Sequence, residues 1–231
     1  MGVVTGEEVD VLLLSLKVAA TAMAASLPFA VAIALALARL RFPGKNLVRG
    51  IVQLPLILPP VVTGFFLLVL LGRNGVIGAW LYSALGISFA FRWTGAAIAA
   101  AVMGFPLMER AIRLSAELVD RRLEQAAATL GAGRWRIFAT ITLPLMAPGI
   151  VTGVLLSFGR ALGEFGATIT FVSNIPGETR TLPLAIYTFT QVPGADTAAF
   201  RLVIISVALS LLTLVGGEWL NQRATARLHG R

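Results

Sequence analysis

Side chains that catalyse reactions or bind metal ions are scarce in this sequence. His229 is the only histidine and there is no cysteine, so neither a disulfide framework nor a thiolate metal site can form. Gly44 and Lys45 suggest a phosphate-binding loop, but Arg39 and Asn46 stand where its first glycine and its serine or threonine are required. We therefore expect no catalytic centre, metal or cofactor in this chain, and no nucleotide hydrolysis by this chain alone.

One segment, residues 123–144, has a spacing that an ordinary loop does not explain. It reads LEQAAATLGAGRWRIFATITLP, so Gly131 follows the QAA triplet by four residues and Ile141 comes ten residues later, just before Leu143 and Pro144. The segment is rich in alanine and arginine and lies between long apolar runs. A segment of this kind between membrane spans predicts a docking element that transmits motion to them.

The composition indicates a membrane protein. Of the 231 residues, 57% are hydrophobic and 13% are charged, whereas a soluble domain carries about 25% charged residues. The apolar residues come in long runs, which predict membrane-spanning helices. The net charge of +8 is better explained by lysine and arginine in cytoplasmic loops than by a nucleic-acid partner, because the charges punctuate the apolar runs.

We predict an all-α integral membrane protein with five transmembrane helices in a single domain, residues 1–231. The spans lie at about 12–38, 50–72, 93–113, 139–161 and 200–220, and a cytoplasmic loop at about 114–138 joins the third to the fourth. Pro55, Pro59 and Pro60 interrupt the second span. They are compatible with a kinked packing helix or with a broken helix that lines a pathway.

The distribution of basic residues predicts the orientation. With five spans, the loops at 39–49 and 109–136 and the tail from residue 218 share one side and hold 13 of the 19 basic residues. That side should be cytoplasmic, which places the N-terminus in the periplasm and the C-terminus in the cytoplasm. Residues 165–175 are too few to cross a bilayer, so we expect a pore-side or outer-surface segment there; whether the wider stretch 165–190 is re-entrant stays open.

The segment QAAATLG…ITLP resembles the EAA loop of the permease subunits of ABC importers. Here Gln125 stands where glutamate is usual, and Glu124 precedes it. A wider resemblance covers nearly the whole chain. The stretches LPLILPPVVTGFFLL, RLEQAAATLGAGRWRIF and RALGEFGATITFVSNIPGETRTLPLAIY are similar to the permease subunits of bacterial molybdate importers, and the last stretch is the most discriminating.

This resemblance implies a multi-pass permease with the type I importer fold in the bacterial cytoplasmic (inner) membrane, surrounded by lipid. It implies a second copy of the chain, two ATPase subunits that bind ATP and magnesium, and a periplasmic or lipid-anchored molybdate-binding protein. Molybdate would then cross by alternating access. The ATPase-coupling loop would comprise Leu123, Glu124, Gln125, Ala126, Ala127, Thr129, Leu130, Gly131, Arg134 and Trp135.

The translocation pathway must pass an oxyanion of two negative charges without trapping it, which favours neutral hydrogen-bond donors. Candidate residues are Thr63, Arg160, Glu164, Thr168, Thr170, Ser173 and Asn174. Any single hydroxyl among them is also explained as an ordinary turn or cap residue. Arg160 and Glu164 are four residues apart, a spacing that favours a salt bridge over contact with the anion.

Two other functions remain compatible with the sequence. The first alternative is a sulfate, thiosulfate or tungstate permease of the same class. It stays open because the separate binding protein is expected to select the transported oxyanion. A function of a different class is a membrane scaffold or signalling subunit that binds an ATPase without transporting anything.

Overall fold

The computed structural model describes the backbone of residues 5–228 and the side chains of residues 5–223. Every regular element in this part of the chain is helical, which confirms the predicted all-α class. The elements are α1 (Gly6–Arg39), α2 (Lys45–Ile57), α3 (Pro60–Leu71), α4 (Gly78–Leu85), α5 (Trp93–Leu118), α6 (Arg121–Thr129), α7 (Arg134–Ile137), a π-helical turn (Phe138–Thr142), α8 (Leu143–Leu162), α9 (Gly166–Val172), α10 (Leu182–Thr190) and α11 (Asp196–Leu228).

Four helical segments are long and apolar enough to cross a membrane. Within the described residues they are α1, α5, the continuous segment Arg134–Leu162 formed by α7, the π-helical turn and α8, and the segment Asp196–Arg223 of α11. Helices α2 and α3 together make a fifth candidate, bent by 114°. The membrane therefore accommodates four spans, or five if the bent pair crosses as one.

The break between α2 and α3 is caused by consecutive prolines. Leu58 and Pro59 have extended backbones (ψ 142° and 134°), as expected for residues that precede a proline. Pro60 then opens α3, at a position where a missing N–H costs nothing. The sequence left open a kinked helix or a broken helix in this region, and the structure contains the broken helix.

Helix α5 is the centre of the bundle and packs against α1 on one side and α8 on another. Small residues allow these close approaches. A Cβ atom added to Gly104 of α5 would lie 2.3 Å from the Oγ of Ser157 in α8, and one added to Gly153 of α8 would lie 2.9 Å from the carbonyl oxygen of Met108. The close approach of the α5 and α8 backbones therefore contributes to the core alongside the packing of large side chains.

Helix α5 continues to Leu118, beyond the expected end of the third span at 113. A polar network supports this extension: the Nε of Arg113 donates to Glu109 Oε1 at 2.8 Å, and its Nη1 donates to Glu117 at 3.3 Å. Gln53 of α2 also donates to the fully buried Glu109, at 3.2 Å. The buried charges of Glu109 and Arg113 are therefore paired, which removes the cost of burying either alone.

Candidate functional site

The expected coupling segment forms helix α6, which ends in a glycine-dependent cap. Gly131 has φ +86°, a conformation that favours glycine. Its N–H donates to Ala128 O at 3.0 Å, and the N–H of Ala132 donates to Ala127 O at 3.1 Å. This is the Schellman arrangement, and it gives a structural reason for a glycine at this position.

The surface of α6 and α7 exposes large apolar side chains. Leu130 is 88% exposed, Trp135 is 84% exposed and Leu123 is 50% exposed. Helix α6 contributes no buried residue, and Gln125, Ala126, Thr129 and Arg134 are exposed as well. Exposed large apolar side chains on a polar segment are a common feature of protein-docking surfaces. We call Leu123, Leu130 and Trp135 the apolar patch.

Glu124, by contrast, is turned towards the rest of the chain. Its Oε1 accepts from the Nη2 of Arg39 at 3.1 Å and from the hydroxyl of Thr142 at 2.6 Å. Consecutive helical side chains diverge by about 100°, and the adjacent Gln125 is exposed. The carboxylate of Glu124 is therefore engaged within the chain and does not simply replace the glutamate usual at the next position. Sequence reasoning missed Arg39 and Thr142, because neither is a local neighbour of Glu124.

The candidate pathway residues Thr63, Thr168 and Thr170 lie on two short helices that pack together. A Cβ atom on Gly64 of α3 would lie 2.6 Å from Ala167 O of α9. Thr63 and Thr168 are buried. Within the part of the chain that the structure describes, the Thr63 hydroxyl has no hydrogen-bond partner, whereas that of Thr170 donates to Gly166 O at 2.8 Å. Thr63 is thus a free buried hydroxyl in the broken span.

Arg160 and Glu164 form a salt bridge, with Arg160 Nη1 2.5 Å from Glu164 Oε2. The other oxygen of Glu164 accepts from the N–H of Ala167 at 2.8 Å. The carboxylate therefore joins the end of α8 to the first turn of α9. The two charged side chains therefore pair with each other, as their spacing of four residues predicts.

Ser173 and Asn174 lie at the other end of α9, so the structure does not bring all the candidate pathway residues together. Ser173 is exposed and has φ +64°. The amide of Asn174 donates to Thr188 Oγ1 at 2.6 Å, and its Oδ1 accepts from Arg180 Nε at 3.1 Å. Asn174 is therefore used to fold the loop that follows α9, in agreement with its alternative explanation as a turn residue.

No group of three or more histidine, cysteine, aspartate or glutamate residues able to hold a metal ion occurs among the described residues. His229 lies outside them. The described region offers ion pairs, hydroxyl groups and exposed apolar side chains.

Residues 26–226 match the family described as binding-protein-dependent transport system inner membrane components. The chain belongs to this family. Membership confirms the expected multi-pass protein of the inner membrane, a transport subunit rather than an enzyme.

Among the relatives of this permease, the molybdenum transport system permease protein ModB of Escherichia coli (strain K12) is 60% identical over 225 residues, covering 97% of this chain and 98% of that protein. The protein of the same name from Haemophilus influenzae is 55% identical and covers 96% of each chain. The sulfate transport system permease protein CysT of E. coli (strain K12) is 38% identical over 83% of this chain and 69% of its own length. These identities confirm the resemblance to molybdate importer permeases.

A solved structure shares the fold of this permease. A chain in the crystal structure of a bacterial alginate ABC transporter, in complex with an alginate pentasaccharide-bound periplasmic protein, superimposes with a TM-score of 0.75, covering 96% of this chain and 80% of that chain. The sequence identity is 17%, so the likeness concerns the fold alone. It supports the expected ABC importer permease architecture.

Proposed function

We propose that this chain is the permease subunit of an ATP-driven importer that moves molybdate across the cytoplasmic membrane. The observation that carries this proposal is the 60% identity to a molybdenum transport permease across 97% of the chain. The sulfate permease is more distant, at 38% identity over 83% of the chain. The similarity thus favours molybdate over sulfate as the transported oxyanion.

The partners we propose are a second copy of the chain, two ATPase subunits that hold ATP and magnesium, and a periplasmic or lipid-anchored molybdate-binding protein. Residues 123–135 would contact the ATPase, with the exposed Gln125 and the apolar patch among the contact residues. The exposure of Leu130 and Trp135 supports this assignment, because exposed apolar and aromatic side chains are the usual anchors of an interface. Closure of the ATPase pair would rock the spans between outward-open and inward-open states.

We propose a single domain in which the bent pair α2–α3 crosses as one span, giving five spans in all. The N-terminus would then be periplasmic and the C-terminus cytoplasmic, with α6 and α7 on the cytoplasmic side. The excess of basic residues on that side supports this orientation. The bend between α2 and α3 is compatible with a single crossing, since broken helices are tolerated where protein or water covers their free carbonyls.

For the pathway we propose the contact between α3 and α9, with the hydroxyls of Thr63, Thr168 and Thr170 as neutral donors. Thr63 is the best supported of these, because its buried hydroxyl has no partner within the described residues and an unsatisfied buried donor is costly unless it serves a ligand. Arg160 and Glu164 would border this pathway as a structural pair. Ser173 and Asn174 would shape its outer end.

Uptake of radiolabelled molybdate tests the proposal. The chain, its ATPase and its binding protein are expressed together in a bacterial strain that lacks its own molybdate permease. We expect ATP-dependent molybdate uptake that excess sulfate or thiosulfate does not abolish, and a parallel tungstate assay measures discrimination between the two metals' oxyanions. ATPase binding without uptake in reconstituted vesicles would instead identify a scaffold or signalling subunit.

A further inference from the structure

Among the described residues, Glu124 is the side chain of helix α6 that hydrogen-bonds to other elements of the chain. The helix contributes no buried residue of its own, so apolar packing contributes little to its attachment. Glu124 Oε1 accepts two hydrogen bonds, from Arg39 at the last turn of α1 and from Thr142 at the end of the π-helical turn before α8. One carboxylate oxygen thereby joins three elements of the chain.

The surroundings of this junction strengthen the contacts of Glu124 with Arg39 and Thr142. Thr142 is buried, and the side chains of Arg39 and Glu124 are 17% and 24% exposed, so water competes only partly for the contact. Charge-assisted hydrogen bonds of this kind are stronger than neutral ones. The π-helical turn Phe138–Thr142 places Thr142 in a segment type that often occurs at functional positions in helices.

We propose that Glu124 is a positioning residue of transport, which transmits displacement of α6 to α1 through Arg39 and to α8 through Thr142. This inference rests on the proposed function. The apolar patch receives the ATPase, and Glu124 passes its movement to the two spans. Without this junction, α6 would move with the ATPase and its displacement would not reach α1 and α8.

The test measures molybdate transported per ATP hydrolysed in purified, reconstituted complexes of the permease, ATPase and binding protein. We expect Glu124→Gln, Arg39→Gln and Thr142→Val each to lower this ratio, by about tenfold for the two changes that remove a charge. Matched controls are Arg41→Gln, at an exposed arginine that forms no ion pair with the described residues, and Thr140→Val, whose hydroxyl bonds only to Arg136 O. Both controls should keep the wild-type ratio.

The double variant Arg39→Gln/Glu124→Gln tests whether the two residues act through one contact. If the two residues act through one contact, it loses no more than the worse single variant. The inference is overturned if the losses multiply, or if assembled complexes of the single variants keep the wild-type ratio and lose only thermal stability. A wild-type complex that transports no molybdate would refute the proposed function itself, which is a distinct result.

Discussion

The coupling segment α6–α7 and the contact between α3 and α9 are built in opposite ways. The first buries no residue of α6 and exposes Leu130 and Trp135. The second is buried and brings backbones so close that a Cβ on Gly64 would collide with Ala167 O. In the proposed function the first region is completed by the ATPase, whereas the second is already packed within the chain. Substitutions should therefore damage association in the first region and folding in the second.

The largest effect is expected from charging the apolar patch. Leu130→Asp combined with Trp135→Asp should weaken association with the ATPase by about 30-fold or more, because exposed aromatic and apolar anchors carry much of an interface's energy. The midpoint of thermal unfolding of the permease alone should stay unchanged. Val76→Asp is the control, because Val76 is 80% exposed on the opposite side in the proposed topology. A large loss of stability in the double variant would contradict the contrast between the two regions.

A smaller effect of the opposite kind is expected at Gly64. Gly64→Ala should destabilise the permease by about 1–3 kcal/mol through overpacking against α9, measured by thermal unfolding in detergent. Gly159→Ala is the matched control, since a Cβ there meets nothing within 4 Å. If both variants unfold at the same temperature, the α3–α9 contact is looser than the structure shows.

Gly131 tests whether the cap of α6 matters for docking. Gly131→Ala should cost about 1–2 kcal/mol of local helix-end stability, because alanine resists the left-handed conformation, and should weaken ATPase association by a few fold. A Cβ at this position meets nothing within 4 Å of the chain, so a bulky replacement would act through the partner and uncouple transport without unfolding the permease.

Two controls complete this prediction. Gly131→Asn should bind nearly as wild type, because asparagine tolerates positive φ, and Gly133→Ala should be neutral since φ there is −70°. Equal binding by Gly131→Ala and wild type would show that the cap is irrelevant to docking.

The smallest change in stability is expected for Thr63→Val. Removing a buried hydroxyl without a partner should leave the unfolding midpoint equal or slightly higher, while molybdate uptake falls if Thr63 serves the anion. Thr170→Val is the comparison, because it removes a hydroxyl bonded to Gly166 O. Unchanged uptake in Thr63→Val would remove this residue from the pathway.

The polar character of residues 123–135 could be read from the sequence because it is a local property, a charged and alanine-rich segment between apolar runs. The coupling role of this segment stays a prediction. The contacts of Glu124 were not predictable, because Arg39 is 85 residues away and only the folded bundle brings it near. Residues 165–175 proved to contain the short helix α9, which is too brief for a periodic signal.

The bend at Pro59 and Pro60 shows a different limit. Prolines are tolerated in membrane helices that stay continuous, so the composition left the kinked and broken forms open. In the structure the broken form is accompanied by close packing of α3 against α9, through Gly64 and Gly166. This contact joins two segments about 100 residues apart, and no sequence pattern within either segment predicts its contact with the other.

ATP-dependent molybdate accumulation in vesicles containing the purified permease, ATPase and binding protein tests the central claim most directly. The account predicts accumulation with the wild-type chain and none with the Leu130→Asp/Trp135→Asp variant, whose fold remains intact. Accumulation that survives in this variant would contradict the proposed coupling through α6 and α7. Failure of the wild-type complex to accumulate molybdate would contradict the function itself.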